Sequence, residues 1–174
     1  LRGGLAMGTV LICTVIAAMS GSSATGTVTM GIIAVPRMLK RGYDKNIAIG
    51  CVAAGGALGV LIPPSIMMIL VALFTDLSVG QLFIAGILPG LLLSGLFIIY
   101  IGIRAFLQPG LGPALPPESR VGWREKMVSL RSVILPVLII VMVLGSIFAG
   151  IATPTEASAM GVAGALISAA VHRR

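Results

Sequence analysis

Ser20–Gly31, SGSSATGTVTMG, crowds hydroxyls and glycines together with no charge among them, inside an otherwise oily chain. Leu5–Met19 before it is almost wholly apolar, and Ile32 and Ile33 resume the pattern after it. A second irregularity, Ala53–Ser65, AAGGALGVLIPPS, places Gly55, Gly56, Gly59 and the pair Pro63–Pro64 within a long apolar run. Hydroxyl oxygens and the carbonyls of an unwound helix are what a hard cation such as sodium needs as ligands. The C-terminal ends of half-helices add negative potential for a cation, and the N-terminal ends favour an anion. Glycine lets two backbones approach closely. Neither stretch holds a carboxylate, which argues against a proton relay through them. The competing reading is structural: small and hydroxylated residues pack membrane helices tightly. The residues alone leave both readings open.

The elements that position these stretches follow from composition and charge. Of 174 residues, 57% are hydrophobic and 10% charged, with mean hydropathy +1.12. A soluble domain carries about 25% charged residues, so the chain reads as an all-α integral membrane protein. Five apolar segments stand out, at 5–20, 47–75, 86–106, 133–151 and 156–171, with a shorter mixed one at 25–38. The basic residues fall in four groups: Arg2; Arg37, Lys40, Arg41 and Lys45; Arg104, Arg120, Arg124, Lys126 and Arg131; and Arg173 with Arg174. The other connections hold only Asp76 and Glu156. The positive-inside rule then puts Arg2, 37–45, 104–131 and the C-terminus on the cytoplasmic side. The net charge of +7 has this topological cause. No basic stripe interleaved with aromatics suggests nucleic acid.

Arg2 and Arg37–Lys45 lie on one side, so the chain must enter the membrane and return between them. As helices, 5–20 and 25–38 are about 24 and 20 Å long, short of the roughly 30 Å hydrocarbon core. Residues 1–38 therefore read as a re-entrant helical hairpin with its tip at 20–25, followed by a cytoplasmic loop at 39–46. Irregular backbone at that depth must be buried in protein or line a wet cavity. Residues 47–75 would make a helix of about 43 Å, too long for an untilted span. Its two prolines predict a discontinuous transmembrane helix broken at 59–64, with a simple kink as the alternative.

The remaining pieces read as scaffold. Residues 76–85 form an external or interfacial segment, where Ser78 and Gln81 have capping-box spacing. Residues 86–106 form a transmembrane helix, and 107–132 a Pro/Gly-rich cytoplasmic loop ending in a basic amphipathic stretch around Trp123. Transmembrane helices follow at 133–151 and 152–174. In ATPTEASA, Thr153 has the N-cap position, Pro154 the first helical position and Glu156 the third, so Glu156 reads as a cap rather than a proton carrier. Cys13 and Cys51 are isolated in apolar segments, which argues against a disulfide or a metal site. The only histidine, His172, is terminal, and neither HExxH nor paired carboxylates occur. An intramembrane enzyme is a poor fit. The chain opens LRGG without Met or a visible cleavable signal and ends at HRR, which suggests a fragment of a longer protein.

SGSSATGTVTMGIIAVPRMLKRGYDK, AAGGALGVLIPPSIMMIL, LFIAGILPGLLL and GIATPTEASA occur in this order across nearly the whole chain. Together they resemble the large membrane subunit of the tripartite ATP-independent periplasmic (TRAP) transporters, members of the ion-transporter superfamily. The resemblance implies a bacterial inner-membrane permease with two inverted repeats, each holding a re-entrant hairpin and a broken helix, moving as an elevator. It implies symport driven by sodium, which is the coupling ion and the only cofactor expected. A periplasmic binding protein would deliver an organic acid anion, such as a C4-dicarboxylate, and a small membrane subunit would brace the scaffold. Carried over by motif, the first-repeat sodium site would use Ser20, Ser22, Ser23 and Thr25, with Gly59, Ile62 and Pro63 through carbonyl oxygens. The substrate would meet Ser23, Thr25, Pro64 and Ser65. The second repeat would begin near Thr153, so half of the substrate site and the second sodium site would lie outside this chain, which alone is not expected to transport. The alternatives are a binding-protein-independent sodium/carboxylate symporter of the same superfamily, and a scaffold or channel subunit with no transport cycle.

Overall fold

Each helix limit has a local cause. A computed structural model describes residues 3–108, 110–113 and 123–171. The described residues form helices α1 (Gly4–Ser20), α2 (Ser23–Lys40), α3 (Lys45–Leu61), α4 (Ile66–Thr75), α5 (Val79–Leu107), α6 (Trp123–Phe148) and α7 (Pro154–Val171). Helix α1 stops at Gly21, whose left-handed φ of 62° suits glycine and whose N–H donates to the Ala17 carbonyl at 2.9 Å. Asp44 starts α3: its Oδ1 accepts the amides of Asn46 and Ile47 at 2.9 and 3.2 Å. Helix α3 ends where Pro63 follows. The residue before a proline is pushed out of the helical region, and Ile62 is extended at φ −82° and ψ 123°. Thr153 and Glu156 close a reciprocal capping box on α7. The Thr153 N–H donates to Glu156 Oε2 at 2.8 Å, and the Glu156 N–H reaches Thr153 Oγ1 at 3.4 Å.

Helices α1, α2, α3 and α5 pack as one group. Buried positions on α1, Ala6, Val10, Cys13 and Ala17, recur at helical spacing, and Gly26, Met30, Ala34 and Met38 form the matching stripe on α2. Both stripes face α3, whose small residues let the helices come close. Helices α6 and α7 pack mainly on each other. Lys45–Thr75, counted through its interruption, and Val79–Leu107 are long and apolar enough to cross a membrane. Only 33% and 22% of their most apolar windows are buried by the chain itself. A core helix of a soluble protein would be mostly covered.

Several helix limits differ from the sequence expectation. The expected tip at 20–25 is a tighter turn, because Ser23–Thr25 already form the first turn of α2 and only Gly21 and Ser22 lie between the helices. The interruption expected at 59–64 falls at 62–65, since glycine at 59 does not itself end a helix whose hydrogen bonds run on to Leu61. The segment expected at 76–85 is not separate: α5 begins at Val79 and runs unbroken through Pro89. Ser78 occupies its N-cap position but makes no side-chain cap bond. Likewise α6 joins the amphipathic stretch and the segment at 133–151 into a single helix from Trp123.

Candidate functional site

The hairpin turn and the helix interruption meet. Gly59 packs against the backbone of Ser22 and Ser23, and a Cβ there would stand 2.7 Å from the Ser22 carbonyl carbon and 2.8 Å from the Ser23 nitrogen. The Ile66 N–H, at the start of α4, donates to the Gly21 carbonyl at 3.3 Å. A Cβ on Gly21 would crowd the Pro64 carbonyl oxygen at 2.5 Å. One small volume thus gathers the C-terminal ends of α1 and α3 and the N-terminal ends of α2 and α4. Each helix end leaves backbone groups without intrahelical partners. Carbonyls there suit a cation, and amides suit an anion.

The candidate side chains play unequal parts. Ser20 Oγ lies 2.9 Å from the Ile16 carbonyl and 3.3 Å from the Ser22 carbonyl, and it accepts the Ser22 amide at 3.4 Å, so it fastens the turn. Ser22 is extended at the N-cap position of α2 with no side-chain cap bond, which leaves its hydroxyl available. Ser23 is half-buried beside Gly59, and its carbonyl accepts Thr27 Oγ1 at 2.9 Å. Thr25 is exposed on α2. Ile62 is buried, with its side chain against Gly90 of α5. Pro63 is buried and joined to Pro64 by a cis peptide bond. Ser65 is fully buried, and its hydroxyl donates back across the interruption to the Val60 carbonyl at 2.6 Å.

Two contacts escaped the sequence reading. Thr27 lies so close to Gly56 that a Cβ on the glycine would overlap Thr27 Oγ1. Within α1, Thr14 Oγ1 sits 2.9 Å from the Val10 carbonyl and 2.7 Å from Ser94 Oγ of α5. Thr14 has one hydroxyl proton, which goes to Val10, so Ser94 is the donor across the helices. A lone threonine and a lone serine in apolar runs are the only sequence signal.

An apolar cavity of about 570 Å³ adjoins the turn, with Ala18, Met19 and Pro64 on one side and Ile139, Val143 and Val162 on the other. Its one lining hydroxyl, Ser158, already donates to the Pro154 carbonyl at 2.7 Å. With no charged group in its lining, it is chemically unsuited to hold a carboxylate. The turn and interruption carry no acidic residue or histidine. Cys13 and Cys51 are free and buried, and the described residues contain no cluster of three metal-ligating side chains.

The sequence pattern of the family described as "Tripartite ATP-independent periplasmic transporter, DctM component" matches residues 1–174. The C4-dicarboxylate TRAP transporter large permease protein DctM of Vibrio cholerae is 42% identical over 159 residues, covering 91% of this chain and 34% of its own length. Its namesake in Pseudomonas aeruginosa is 42% identical over 174 residues, covering 99% of this chain and 40% of its own. The ectoine TRAP transporter large permease protein TeaC of Halomonas elongata is 38% identical over 159 residues, covering 91% and 36%. The chain thus spans between 34% and 40% of the length of these relatives.

Proposed function

This chain belongs to the DctM-component family of tripartite ATP-independent periplasmic transporters, and from that premise we propose that it supplies the first-repeat half-site of a sodium-driven importer of an organic acid anion. It acts as part of a permease of the bacterial inner membrane, not as an enzyme. Helices α1 and α2 form a re-entrant hairpin, at about 26 and 27 Å each shorter than the bilayer core. Helices α3 and α4 form the discontinuous span. The observation that carries the reading is the meeting of Gly59 with Ser22 and Ser23, where the hairpin turn and the helix interruption bring four helix ends and an uncapped Ser22 hydroxyl together.

Sodium takes Ser22, Ser23 and Thr25 oxygens with the carbonyls of Gly59, Ile62 and Pro63, while Ser20 holds the turn in shape. The substrate carboxylate sits at the N-terminal ends of α2 and α4, near Ser23, Thr25, Pro64 and Ser65, where amides and the helix dipoles favour an anion. The substrate class rests on relatives named for C4-dicarboxylate and ectoine. A periplasmic binding protein delivers the substrate, a small membrane subunit braces the scaffold, and the half-site moves by an elevator motion opposite a second repeat. Sodium rather than a proton suits a site without titratable groups.

The test is a single cysteine at Ser22 in the complete subunit, with Cys13 and Cys51 replaced, exposed to a membrane-impermeant thiol reagent with and without sodium. The expected result is slow labelling that sodium slows further, with Ser23→Ala abolishing the sodium effect. Fast labelling from outside, indifferent to sodium, would mean two ordinary spans joined by an external loop and would remove the half-site.

A further inference from the structure

The α2–α3 connection concentrates positive charge at one corner of the helix group. Arg37 and Lys40 lie in the last turn of α2, Arg41 follows it, and Lys45 opens α3. All four are exposed. The one acid nearby, Asp44, is engaged in capping α3, with its Oδ1 on the Asn46 and Ile47 amides. Arg37 and Lys40 have an ordinary explanation, since a helix C-terminus favours cations. Lys45 stands where the dipole of α3 disfavours a cation, so the helix ends do not account for it, and only its expected place on the cytoplasmic side does.

The surface leading to this corner is aliphatic and uncovered by the chain. Val28, Ile32 and Ile33 of α2 are 59%, 71% and 45% exposed. Helical spacing places Val28, Ile32 and Lys40 along one row, with Ile33 and Arg37 along the next. A Cβ on Gly31 of α2, or on Gly50 of α3, would meet nothing within 4 Å. An aliphatic strip thus ends in a cationic rim. That order of chemistry complements an acyl chain carrying an anionic phosphate. Guanidinium groups bind phosphate oxygens in a bidentate manner, and lysines add point charge.

We infer that the end of α2 and the start of α3 bind the headgroup of an anionic phospholipid, with an acyl chain lying along Val28, Ile32 and Ile33. The inference rests on the membrane reading of the chain but not on sodium coupling, which the Ser22 labelling tests separately.

The test titrates fluorescent phosphatidylglycerol, and separately fluorescent phosphatidylcholine, into the complete large subunit in neutral detergent. The expected result is clear preference for phosphatidylglycerol. At about fivefold per charge, Arg37→Gln/Lys40→Gln/Arg41→Gln lowers that affinity roughly a hundredfold and Lys45→Gln roughly fivefold, with phosphatidylcholine unaffected. The charge-conserving Arg37→Lys/Arg41→Lys variant retains most of the binding, which separates lost charge from lost folding. Equal binding of the two lipids, or phosphatidylglycerol binding indifferent to the triple substitution, would overturn the inference. So would equally effective competition by inorganic phosphate, which would assign the corner to a soluble anion.

Discussion

Gly59 of α3 lies against Ser22, the N-cap residue of α2, so closely that a single added methyl would stand 2.7 Å from the Ser22 carbonyl carbon and 2.8 Å from its oxygen. Both obstructing atoms are backbone, and neither can rotate away. Gly59→Ala must therefore push the hairpin off the interruption. Overpacking of this kind costs about 1–3 kcal/mol. Gly31→Ala is the matched control, because a Cβ there meets nothing within 4 Å. Thermal unfolding of the complete subunit should show a clear drop for Gly59→Ala and little change for Gly31→Ala. On the transport role proposed above, uptake should follow the same order.

Ser65 is fully buried, and its hydroxyl reaches back to the Val60 carbonyl at 2.6 Å. It replaces a bond that the interrupted backbone does not make. Ser65→Ala removes that bond from a partly buried carbonyl, at a cost of about 0.5–1.5 kcal/mol. Ser65→Thr keeps the hydroxyl and tests whether the contact or the small volume matters. If unfolding midpoints and uptake of the alanine variant match the parent, the interruption does not depend on this hydroxyl.

How far the sequence revealed this arrangement depends on the element. The prolines at 63 and 64 announced the interruption, because a missing donor and a restricted preceding residue are properties of the residue itself. The turn at Gly21–Ser22 was legible as a polar place but read too wide. Ser23 and Thr25 are as compatible with a first helical turn as with a loop, and only Gly21's left-handed conformation decides. The separate segment expected at 76–85 failed because the helix start near Ser78 was legible but nothing between Val79 and Gly86 ends it, so α5 runs on into the apolar span. The meeting of Gly59 with Ser22 was expected only through the family resemblance: glycine by itself announces that something comes close, not what.

Tyr43 caps a helix from outside it. Gly3, at the N-cap position of α1, has no side chain to offer, and the buried Tyr43 hydroxyl accepts the Leu5 N–H at 3.2 Å. Tyr43→Phe should cost about 0.5–1.5 kcal/mol, the net value of one such bond. Burial pushes the Tyr43 hydroxyl above its ordinary value, opposed by the Leu5 bond and by Arg41. A raised folded-state value means that the contribution is complete below the ordinary tyrosine value of about 10 and fades as pH climbs through the higher folded one. Stability of the parent should therefore fall more steeply than that of Tyr43→Phe only on the alkaline side. A parallel decline of the two would show that Tyr43 does not titrate in place.

Ser94 donates to Thr14 at 2.7 Å, and Thr14 passes its own proton to Val10, so the chain of bonds runs from α5 into α1 in one direction. The two deletions are not equivalent. Ser94→Ala leaves Thr14 still bonded within its helix. Thr14→Val strips Ser94 of its acceptor and obliges its hydroxyl to turn back to the carbonyl one turn earlier, a fallback open to serine in helices. Both changes should be mild, and their coupling in a double-mutant cycle should be about 0.6 kcal/mol, typical of hydrogen bonds between membrane helices. Because α1 ends at the turn that meets Gly59, loosening its hold on α5 should also weaken the sodium protection proposed for a cysteine at Ser22. Zero coupling together with unchanged protection would mean that packing alone, through Cys13 and Gly55, sets the position of α1.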